Sequence, residues 1–204
     1  MSGAILVLSG PSGAGKSTII SNSASRIGEF YFSISTTTRA PREGEKNGVE
    51  YYFVTKDEFE EGIKRGDFLE YAEVHGNYYG TSLKPVQEAL ADGKLVIFDI
   101  DVQGHRLVRA KMGDLVTSIF ITPPTLEELK RRLYSRSSDL DETIERRIEN
   151  AKSEIKAIGE FDFVIINDEV DRAVEHFITI AKASRLKFSK QDLEKLIDRW
   201  ENGI

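Results

Sequence analysis

The sequence predicts a single α/β domain built on a parallel β-sheet. Its 204 residues are enough for one domain with its own core. Short apolar runs recur along the chain with helical segments between them, and the runs are continuous rather than alternating. Continuous runs are typical of parallel strands that are covered on both faces. We therefore expect right-handed helical crossovers between buried strands at residues 4–8, 95–100, 116–121 and 163–166.

The helix starts are marked by capping residues and prolines. Thr125 and Glu128 form a capping-box pattern after two prolines, and Thr55 and Glu58 form another. Glycine readily ends a helix because it adopts left-handed backbone angles. We expect helices from Thr125 through Arg132, from Thr55 to Gly66, from Pro85 to Gly93, and from Ser189 towards the C-terminus.

The last of these helices is expected to carry an apolar face. Its apolar residues recur at helical spacing: Leu193, Leu196, Ile197 and Trp200. The face docks either on its own domain or on a second copy of the chain, and the sequence leaves both open.

The composition excludes several classes of protein. A hydrophobic content of 40% and a charged content of 30% are ordinary for a soluble globular chain. No apolar run approaches the roughly 20 residues that span a bilayer, and no basic segment precedes the first apolar run, so we expect neither a membrane span nor a secretory signal. The chain has no cysteine, which excludes disulfides and thiolate metal sites and fits the cytoplasm.

The charge distribution favours small phosphorylated ligands. The net charge of −6 argues against a nucleic-acid partner, which ordinarily requires a large basic surface. The positive charge is nevertheless clustered. Arginines are concentrated in two places: Arg39 and Arg42 in one, and Arg131, Arg132, Arg136, Arg146 and Arg147 in the other.

Residues 10–17 form a phosphate loop of the pattern G-x-x-x-x-G-K-[ST] after the first apolar run. Its glycines let backbone N–H groups converge on an anion, and the helix that follows adds its positive end. Lys16 is expected to reach the β- and γ-phosphates of a nucleoside triphosphate, and Ser17 to ligate Mg²⁺. The alternative is a strand-to-helix turn that binds nothing. The predicted ATP-binding residues are Gly10, Pro11, Ser12, Gly13, Ala14, Gly15, Lys16, Ser17 and Thr18.

Two aspartates follow a second predicted strand. A strand period of two residues places Asp99 and Asp101 on one face, at the carboxyl end where ligands bind in open α/β sheets. We interpret Asp99 as the acidic partner of Ser17 at Mg²⁺, partly through water, and Asp101 as lying nearer the acceptor. The alternative is a surface turn, which aspartate favours.

Two segments interrupt the core, which we place at about residues 1–31, 82–125 and 156–204. An inserted lobe, at about residues 32–81, is rich in Tyr, Thr, Gly and Glu and partly β. A lid, at about residues 126–155, carries the larger arginine cluster, and Arg132 and Arg136 share one helical face. Arginines that close over a transferring phosphoryl group stabilise its charge. The alternative for the lid is an exposed, salt-bridged helix pair, since acidic residues lie nearby.

Several motifs of the inserted lobe together resemble the guanylate kinase family, and in particular its bacterial, single-domain members. They are residues 35–45, residues 47–53, residues 68–71 and residues 76–81, taken with the phosphate loop and residues 99–104. The resemblance runs from about Gly3 to the 180s. It implies a P-loop NTPase fold of the nucleoside monophosphate kinase type, with a GMP-binding lobe and an arginine-rich lid. It also implies transfer of the γ-phosphoryl group of ATP to GMP with Mg²⁺ as cofactor.

The same resemblance implies roles for individual residues. It implies that Asn167 lies at the adenine end of ATP. The implied GMP-binding residues are Ser35, Arg39, Arg42, Tyr51, Glu70, Tyr79, Gly80, Thr81, Asp99 and Asp101. The implied catalytic residues are Lys16, Arg39, Arg132, Arg136, Arg147 and Asp101.

The chemistry of Glu70 favours guanine independently. A carboxylate accepts hydrogen bonds from guanine N1–H and the 2-amino group together, whereas adenine has an acceptor at N1 and no 2-amino group. Two alternatives stay open: a peptide-binding module of the same fold with weak catalysis, and a P-loop kinase with another phosphorylated acceptor. The chain departs from the family in the lid, where Ser135-Arg136-Ser137 replaces the common Gly-Arg-Gly, and at Thr81, where serine is frequent.

Overall fold

The computed structural model describes residues 3–42, 44–74, 76–135, 141–188 and 190–203. Its strands are β1 (Ala4–Ser9), β2 (Phe30–Ser33), β3 (Thr36–Thr37), β4 (Tyr52–Phe53), β5 (Phe68–Val74), β6 (Asn77–Ser82), β7 (Leu95–Asp99), β8 (Val116–Thr122) and β9 (Phe163–Ile166). Its α-helices are α1 (Lys16–Ser23), α2 (Lys56–Arg65), α3 (Leu83–Ala91), α4 (Val102–Met112), α5 (Leu126–Tyr134), α6 (Asp141–Glu154), α7 (Val170–Ser184) and α8 (Lys190–Asn202). Within these ranges no helix is long and apolar enough to cross a membrane.

The core is a parallel sheet with strand order β2-β7-β1-β8-β9. All six residues of β1 are buried because the strand is central and both its faces are covered. Leu6 and Leu8 face the layer that contains α1 and α7, while Ile5 and Val7 face the layer that contains α3 and α4. The predicted α/β class and parallel core are confirmed.

Strand β9 differs from its prediction as a buried strand. Phe163, Val164 and Ile166 are 44%, 46% and 53% exposed, and only Ile165 packs in the core. Strand β9 lies at the edge of the sheet, where one side has no neighbouring strand from the described part of the chain. An apolar run has the same pattern at an edge as at the centre, so burial was wrongly predicted for these residues.

Strand β2 is a core strand that the apolar pattern does not indicate. It pairs in parallel with β7 at the opposite edge of the sheet. It therefore extends two residues past position 31, where the sequence analysis ends the first core segment. Three of its four residues are only partly buried, so it lacks the continuous apolar signature of β1 and β7.

The inserted lobe has its own sheet, with strand order β4-β3-β6-β5. Strand β6 is antiparallel to both β3 and β5, whereas β3 and β4 are parallel. Helix α2 covers this sheet through Phe59, which is fully buried. The Phe59 ring stacks on Phe68 and Tyr78, with ring centroids 4.2 Å and 5.2 Å apart. These rings form a small apolar centre that fixes α2 on the sheet.

The helix boundaries follow the capping signals closely. Thr55 forms the full capping box with Glu58, and Gly66 ends α2 with a φ of 74°. Thr125 caps α5 through the Glu128 N–H, but the Glu128 carboxylate pairs with arginines instead of returning to the cap. Helix α3 begins at Leu83, two residues before Pro85. The predicted start of α8 at Ser189 lies outside the described residues.

The apolar face of α8 is exposed to solvent. The exposed fractions are 44% for Leu193, 48% for Leu196, 55% for Ile197 and 85% for Trp200. The alternative in which this face docks on its own domain is therefore wrong for the structure of the single chain.

We expect Phe59→Ala to destabilise the protein by about 3–5 kcal/mol, because it empties the centre of the inserted lobe. Urea unfolding followed by circular dichroism measures this. The matched control is Phe188→Ala, because Phe188 is 45% exposed. We expect the control to cost less than about 1 kcal/mol. Equal losses in the two variants would contradict the packing role of Phe59.

Candidate active site

The candidate site lies at the carboxyl edge of the core sheet. Because the strands are parallel, their carboxyl ends meet at one edge, where ligands bind in open α/β sheets. The phosphate loop follows β1 there, Asp99 is the last residue of β7, and Asn167 follows β9. The inserted lobe and the lid are attached at this same edge.

The phosphate loop has the backbone that its glycines allow. Gly10, Gly13 and Gly15 have φ values of 133°, 90° and 94°. A Cβ atom on Gly10 would lie 2.0 Å from the carbonyl oxygen of Ile121 in β8. Only glycine therefore fits at position 10. Helix α1 begins at Lys16 and directs its first free N–H groups into the loop.

Lys16 lies folded over the loop. Its Nζ donates to the carbonyl oxygens of Gly10 and Pro11, at 2.6 Å and 3.4 Å, and lies 3.8 Å from Oδ1 of Asp99. Burial raises the pKa of the Asp99 carboxyl, and the Lys16 charge opposes that effect. The loop lysine and Asp99 thus lie close together, a contact that the sequence analysis did not predict.

Asp101 reaches the site by a different route from the one predicted. Strand β7 ends at Asp99, so the period-two argument that placed both carboxylates on one strand face is wrong for Asp101. Asp101 is the N-cap of α4, and its Oδ1 accepts from the Gly104 N–H at 2.7 Å. The short turn between strand and helix nevertheless directs both aspartates into one cavity.

That cavity has a volume of about 240 Å³ and lies between the inserted lobe and the core. Its wall combines hydroxyls and carboxylates with a few apolar groups. From the predicted GMP-binding set, the structure brings Ser35, Tyr51, Glu70, Tyr79, Gly80, Asp99 and Asp101 into this wall.

Glu70 is the buried acid of the cavity. It is 8% exposed, and its Oε1 accepts from the hydroxyl of the fully buried Thr81 at 2.7 Å. Burial raises the pKa of Glu70, the Thr81 hydrogen bond opposes the rise, and Asp101 adds to it. Gly80, which precedes Thr81 in β6, has no room for a side chain, because a Cβ there would lie 2.9 Å from the Phe59 ring and 3.0 Å from the Glu70 carbonyl oxygen in β5. The hydrogen bond from Thr81 therefore fixes the orientation of the Glu70 carboxylate.

Arg39 lies beside the cavity, over its aromatic wall. Its guanidinium carbon is 5.4 Å from the centroid of the Tyr51 ring, and Tyr51 meets Tyr79 edge-on at 5.9 Å. Its Nη2 donates to both carboxylate oxygens of Glu45, at 2.9 Å and 3.0 Å. This ion pair raises the pKa of Arg39. The side chain of Arg42 is exposed, and the main-chain N–H of Arg42 also donates to Glu45, at 2.7 Å.

The lid arginines have distinct environments. Arg132 donates to Glu128 at 2.7 Å and to the main-chain oxygen of Asn167 at 2.8 Å. Arg147 donates to the hydroxyl of Ser12 in the phosphate loop at 3.3 Å. Arg131 points outward, with 71% of its side chain exposed, and pairs with Glu128. The salt-bridged alternative therefore describes Arg131. Arg136 and Ser137 lie outside the described residues.

Asn167 is buried against the phosphate loop. It is 2% exposed, and its side-chain Nδ2 donates to the carbonyl oxygen of Ala14 at 2.8 Å. Its Oδ1 is buried and accepts no hydrogen bond from the part of the chain that the structure describes. The amide thus ties the end of β9 to the phosphate loop.

Two further carboxylates interact with residues of the site, and the sequence analysis did not identify them. Glu45 orients Arg39, and it lies in an irregular loop where spacing carries no signal. Glu154, at the end of α6, is partly buried, and burial raises its pKa while the charge of Lys16 lowers it. A signal did exist for Glu154, because it follows Ala151 by three residues on the buried face of α6.

Comparisons with known proteins agree with this geometry. A family model described as Guanylate kinase matches residues 2–184. The chain is 56% identical over 200 residues to the guanylate kinase of Sulfurimonas denitrificans, covering 98% of this chain and 97% of that protein. It is 48% identical over 204 residues to the guanylate kinase of Campylobacter jejuni, covering 100% of each. The crystal structure of guanylate kinase from Anaplasma phagocytophilum matches with a TM-score of 0.75 at 34% identity, covering 97% of this chain and 94% of that one.

These matches extend over the core, the inserted lobe and the lid, so they include every part of the chain that lines the site. They confirm the resemblance carried by the motifs. The chain belongs to the guanylate kinase family and has its P-loop kinase fold.

Proposed function

We propose that this chain transfers the γ-phosphoryl group of ATP to GMP, giving ADP and GDP. The observation that carries the proposal is one cavity with a buried carboxylate, Glu70, in the wall formed by the inserted lobe and with Asp99 beside the loop lysine in the wall formed by the core. A purine monophosphate held between these walls would present its phosphate to the phosphate loop.

Glu70 selects the base in this proposal. Its carboxylate accepts from guanine N1–H and the 2-amino group, and Thr81 holds it in place from behind. Ser35 and Gly80 line the same wall and complete the base site. Adenine would leave the buried carboxylate unpaired, and rejection on that ground amounts to roughly 10⁴–10⁵.

Arg39, Arg42, Tyr51 and Tyr79 bind the GMP phosphate. Guanidinium groups pair with phosphate oxygens in a forked geometry, and the tyrosine hydroxyls donate further hydrogen bonds. Arg39 already lies against the Tyr51 ring. Glu45 keeps this guanidinium oriented until the phosphate takes its place.

The phosphate loop, with Thr18 beside it, binds the triphosphate, and Lys16 reaches the β- and γ-phosphates. Asn167 holds the loop from the side and offers its free Oδ1 to the adenine end. The Ser17 hydroxyl and the Asp99 carboxylate are oxygen ligands of the kind that Mg²⁺ prefers, with phosphate oxygens and water as the remaining ligands. Bound there, Mg²⁺ would neutralise charge on the phosphates.

The lid arginines Arg132, Arg136 and Arg147 stabilise the charge of the transferring phosphoryl group, and Asp101 lies beside the acceptor. Transfer is direct and in line, without a covalent intermediate on the protein. Closure of the inserted lobe and the lid over both substrates excludes water, which would otherwise compete as acceptor.

The cellular location and the binding partners of the enzyme are also proposals. A cytoplasmic location and the absence of nucleic-acid and membrane partners rest on the net charge of −6 and on the lack of cysteines and of apolar spans in the sequence. The exposed face of α8 is available to a second copy of the chain, and analytical ultracentrifugation tests that association.

We expect GMP to be the preferred acceptor in a coupled assay of ADP release that compares GMP, AMP, UMP and dTMP. The reason is the pairing of Glu70 with the guanine edge. Equal or better turnover with AMP would contradict the role of Glu70. Tight binding of a phosphopeptide without ATP turnover would favour the peptide-binding alternative.

We expect Lys16→Met to reduce kcat by at least about a hundredfold, because the variant loses the charge that contacts the transferring group. The protein should stay folded, since the methionine keeps the apolar part of the side chain. Circular dichroism checks the fold, and Lys182→Met, an exposed lysine on α7, serves as the control. Activity that survives in Lys16→Met would show that the loop lysine is not part of the machinery.

We expect Glu70→Gln to lower kcat/KM for GMP by about ten- to a hundredfold, with little change in KM for ATP. In the native protein, kcat/KM for GMP should fall as the pH drops through the raised pKa of Glu70, because a protonated carboxyl cannot accept both guanine donors. Steady-state kinetics across the acidic and neutral range measure both effects. The phosphate of GMP also titrates there, and Glu70→Gln retains that part of the profile.

The stability of Glu70→Gln separates binding from folding. Burial raises the folded-state pKa of Glu70 above its unfolded value, so the protonated form favours folding and this contribution is lost as the pH rises through the folded-state pKa. The variant with a neutral amide should therefore be at least as stable as the native protein at neutral pH.

A selective loss of ATP affinity in Glu70→Gln would contradict the assignment of Glu70 to the GMP site.

A further inference from the structure

Strand β5 contains an irregularity immediately before Glu70. Phe68 pairs with Ser82 and Glu70 pairs with the adjacent Thr81, so Leu69 is an extra residue in the ladder. Such a bulge leaves one residue outside the regular pairing and redirects the side chains beside it. The Leu69 side chain turns into the core, where it is 2% exposed among residues of β1, β7 and α3. The next side chain, Glu70, consequently points into the cavity.

The carbonyl oxygen of Leu69 is bonded from the core. The Nζ of Lys111, in the last turn of α4, donates a hydrogen bond to it. Helix α4 packs along β5, so this contact crosses the seam between the core and the inserted lobe. We propose that Lys111 is a positioning residue for guanine recognition: it holds the Leu69 bulge against α4 and thereby fixes where Glu70 lies.

Electrostatics give Lys111 a second effect on the same carboxylate. The groups that face Glu70 are Asp101 and Asp99 from the core, Thr81, Tyr51 and Tyr79 from the lobe, and Lys111 from α4. Burial and Asp101 raise the pKa of Glu70, whereas Thr81 and the charge of Lys111 lower it. Lys111 therefore favours the ionised form, which is the form that accepts from guanine.

This inference rests on the proposed role of Glu70, and it deepens that role. Lys111 does not line the cavity, so it acts through Leu69 and Glu70 and not through contact with the base. Its removal should affect GMP and spare ATP, and it should change the pH profile, which a purely structural lysine would not do.

The experiment compares steady-state kinetics of the full-length native protein, Lys111→Met and Lys111→Arg. We expect Lys111→Met to raise KM for GMP by about tenfold, from loss of the hydrogen bond and the charge, with less than about a twofold change in KM for ATP. In the pH profile of kcat/KM for GMP, the acidic limb should shift to higher pH by roughly half a unit to one unit. Lys111→Arg, which keeps a charged donor, should retain the native profile.

The matched control is Lys187→Met. Lys187 likewise donates to a main-chain carbonyl oxygen, that of Val116, at 2.8 Å, but at the start of β8. This control separates general loss of a lysine-to-backbone bond from the effect on Glu70. Thermal unfolding monitors all variants, and Lys111→Gln replaces Lys111→Met if the latter does not fold.

The outcomes are distinguishable. An unchanged KM for GMP and an unchanged acidic limb in Lys111→Met, or in its replacement Lys111→Gln, overturn the inference while leaving the proposed function intact. Equal losses with GMP and ATP in that variant, or the same losses in Lys187→Met, also overturn it. If Glu70→Gln itself leaves GMP use unaffected, the guanine assignment fails first. A selective effect on GMP with a shifted acidic limb supports the inference.

Discussion

Burial of carboxylates at the seam between the core sheet and the inserted lobe is the constraint on which the site depends. An ionised carboxylate out of water is costly unless hydrogen bonds or an opposite charge offset the loss of hydration. Thr81 gives Glu70 one hydrogen bond, and Lys16 gives Asp99 a nearby charge. Neither acid is fully satisfied by these groups, since burial still raises both pKa values. The ligands we propose would meet this need, since guanine would bring N–H donors to Glu70 and Mg²⁺ would bring positive charge to Asp99.

The core and the phosphate loop are the parts that the sequence predicts well. Central parallel strands bury both faces, so β1, β7 and β8 have the apolar runs that the sequence analysis interpreted as buried strands. The loop is predictable for a similar reason, because a backbone with repeated positive φ values requires glycines at set positions. The family resemblance came from short motifs in the inserted lobe, and the comparisons bear it out. Local rules are sufficient where one physical requirement dictates the residue type.

The other features of the fold and the site depend on contacts between distant segments, which the spacing of residue types along the sequence does not encode. The exposure of β9 follows from its place at the sheet edge, and Asp101 enters the cavity as a helix cap, not as a strand residue. The pairing of Lys111 with the Leu69 carbonyl joins positions that are 42 residues apart through a main-chain atom. The alternation of apolar and polar residues likewise does not predict a bulge such as the one at Leu69. These features decide where the functional groups point, even though most of the groups themselves were named from the motifs.

The ion pair between Arg39 and Glu45 has a consequence for which ligands can bind at Arg39. Both carboxylate oxygens of Glu45 accept from Nη2 of Arg39, and Nη1 donates to the main-chain oxygen of Ala40. An anion that binds Nη2 must therefore outcompete an internal carboxylate. A doubly charged phosphate meets that requirement better than a singly charged group does, and a free nucleoside brings no charge at all. If Arg39 binds the acceptor phosphate as we propose, the pair acts as a threshold, because a ligand must then carry more negative charge than Glu45 to displace it.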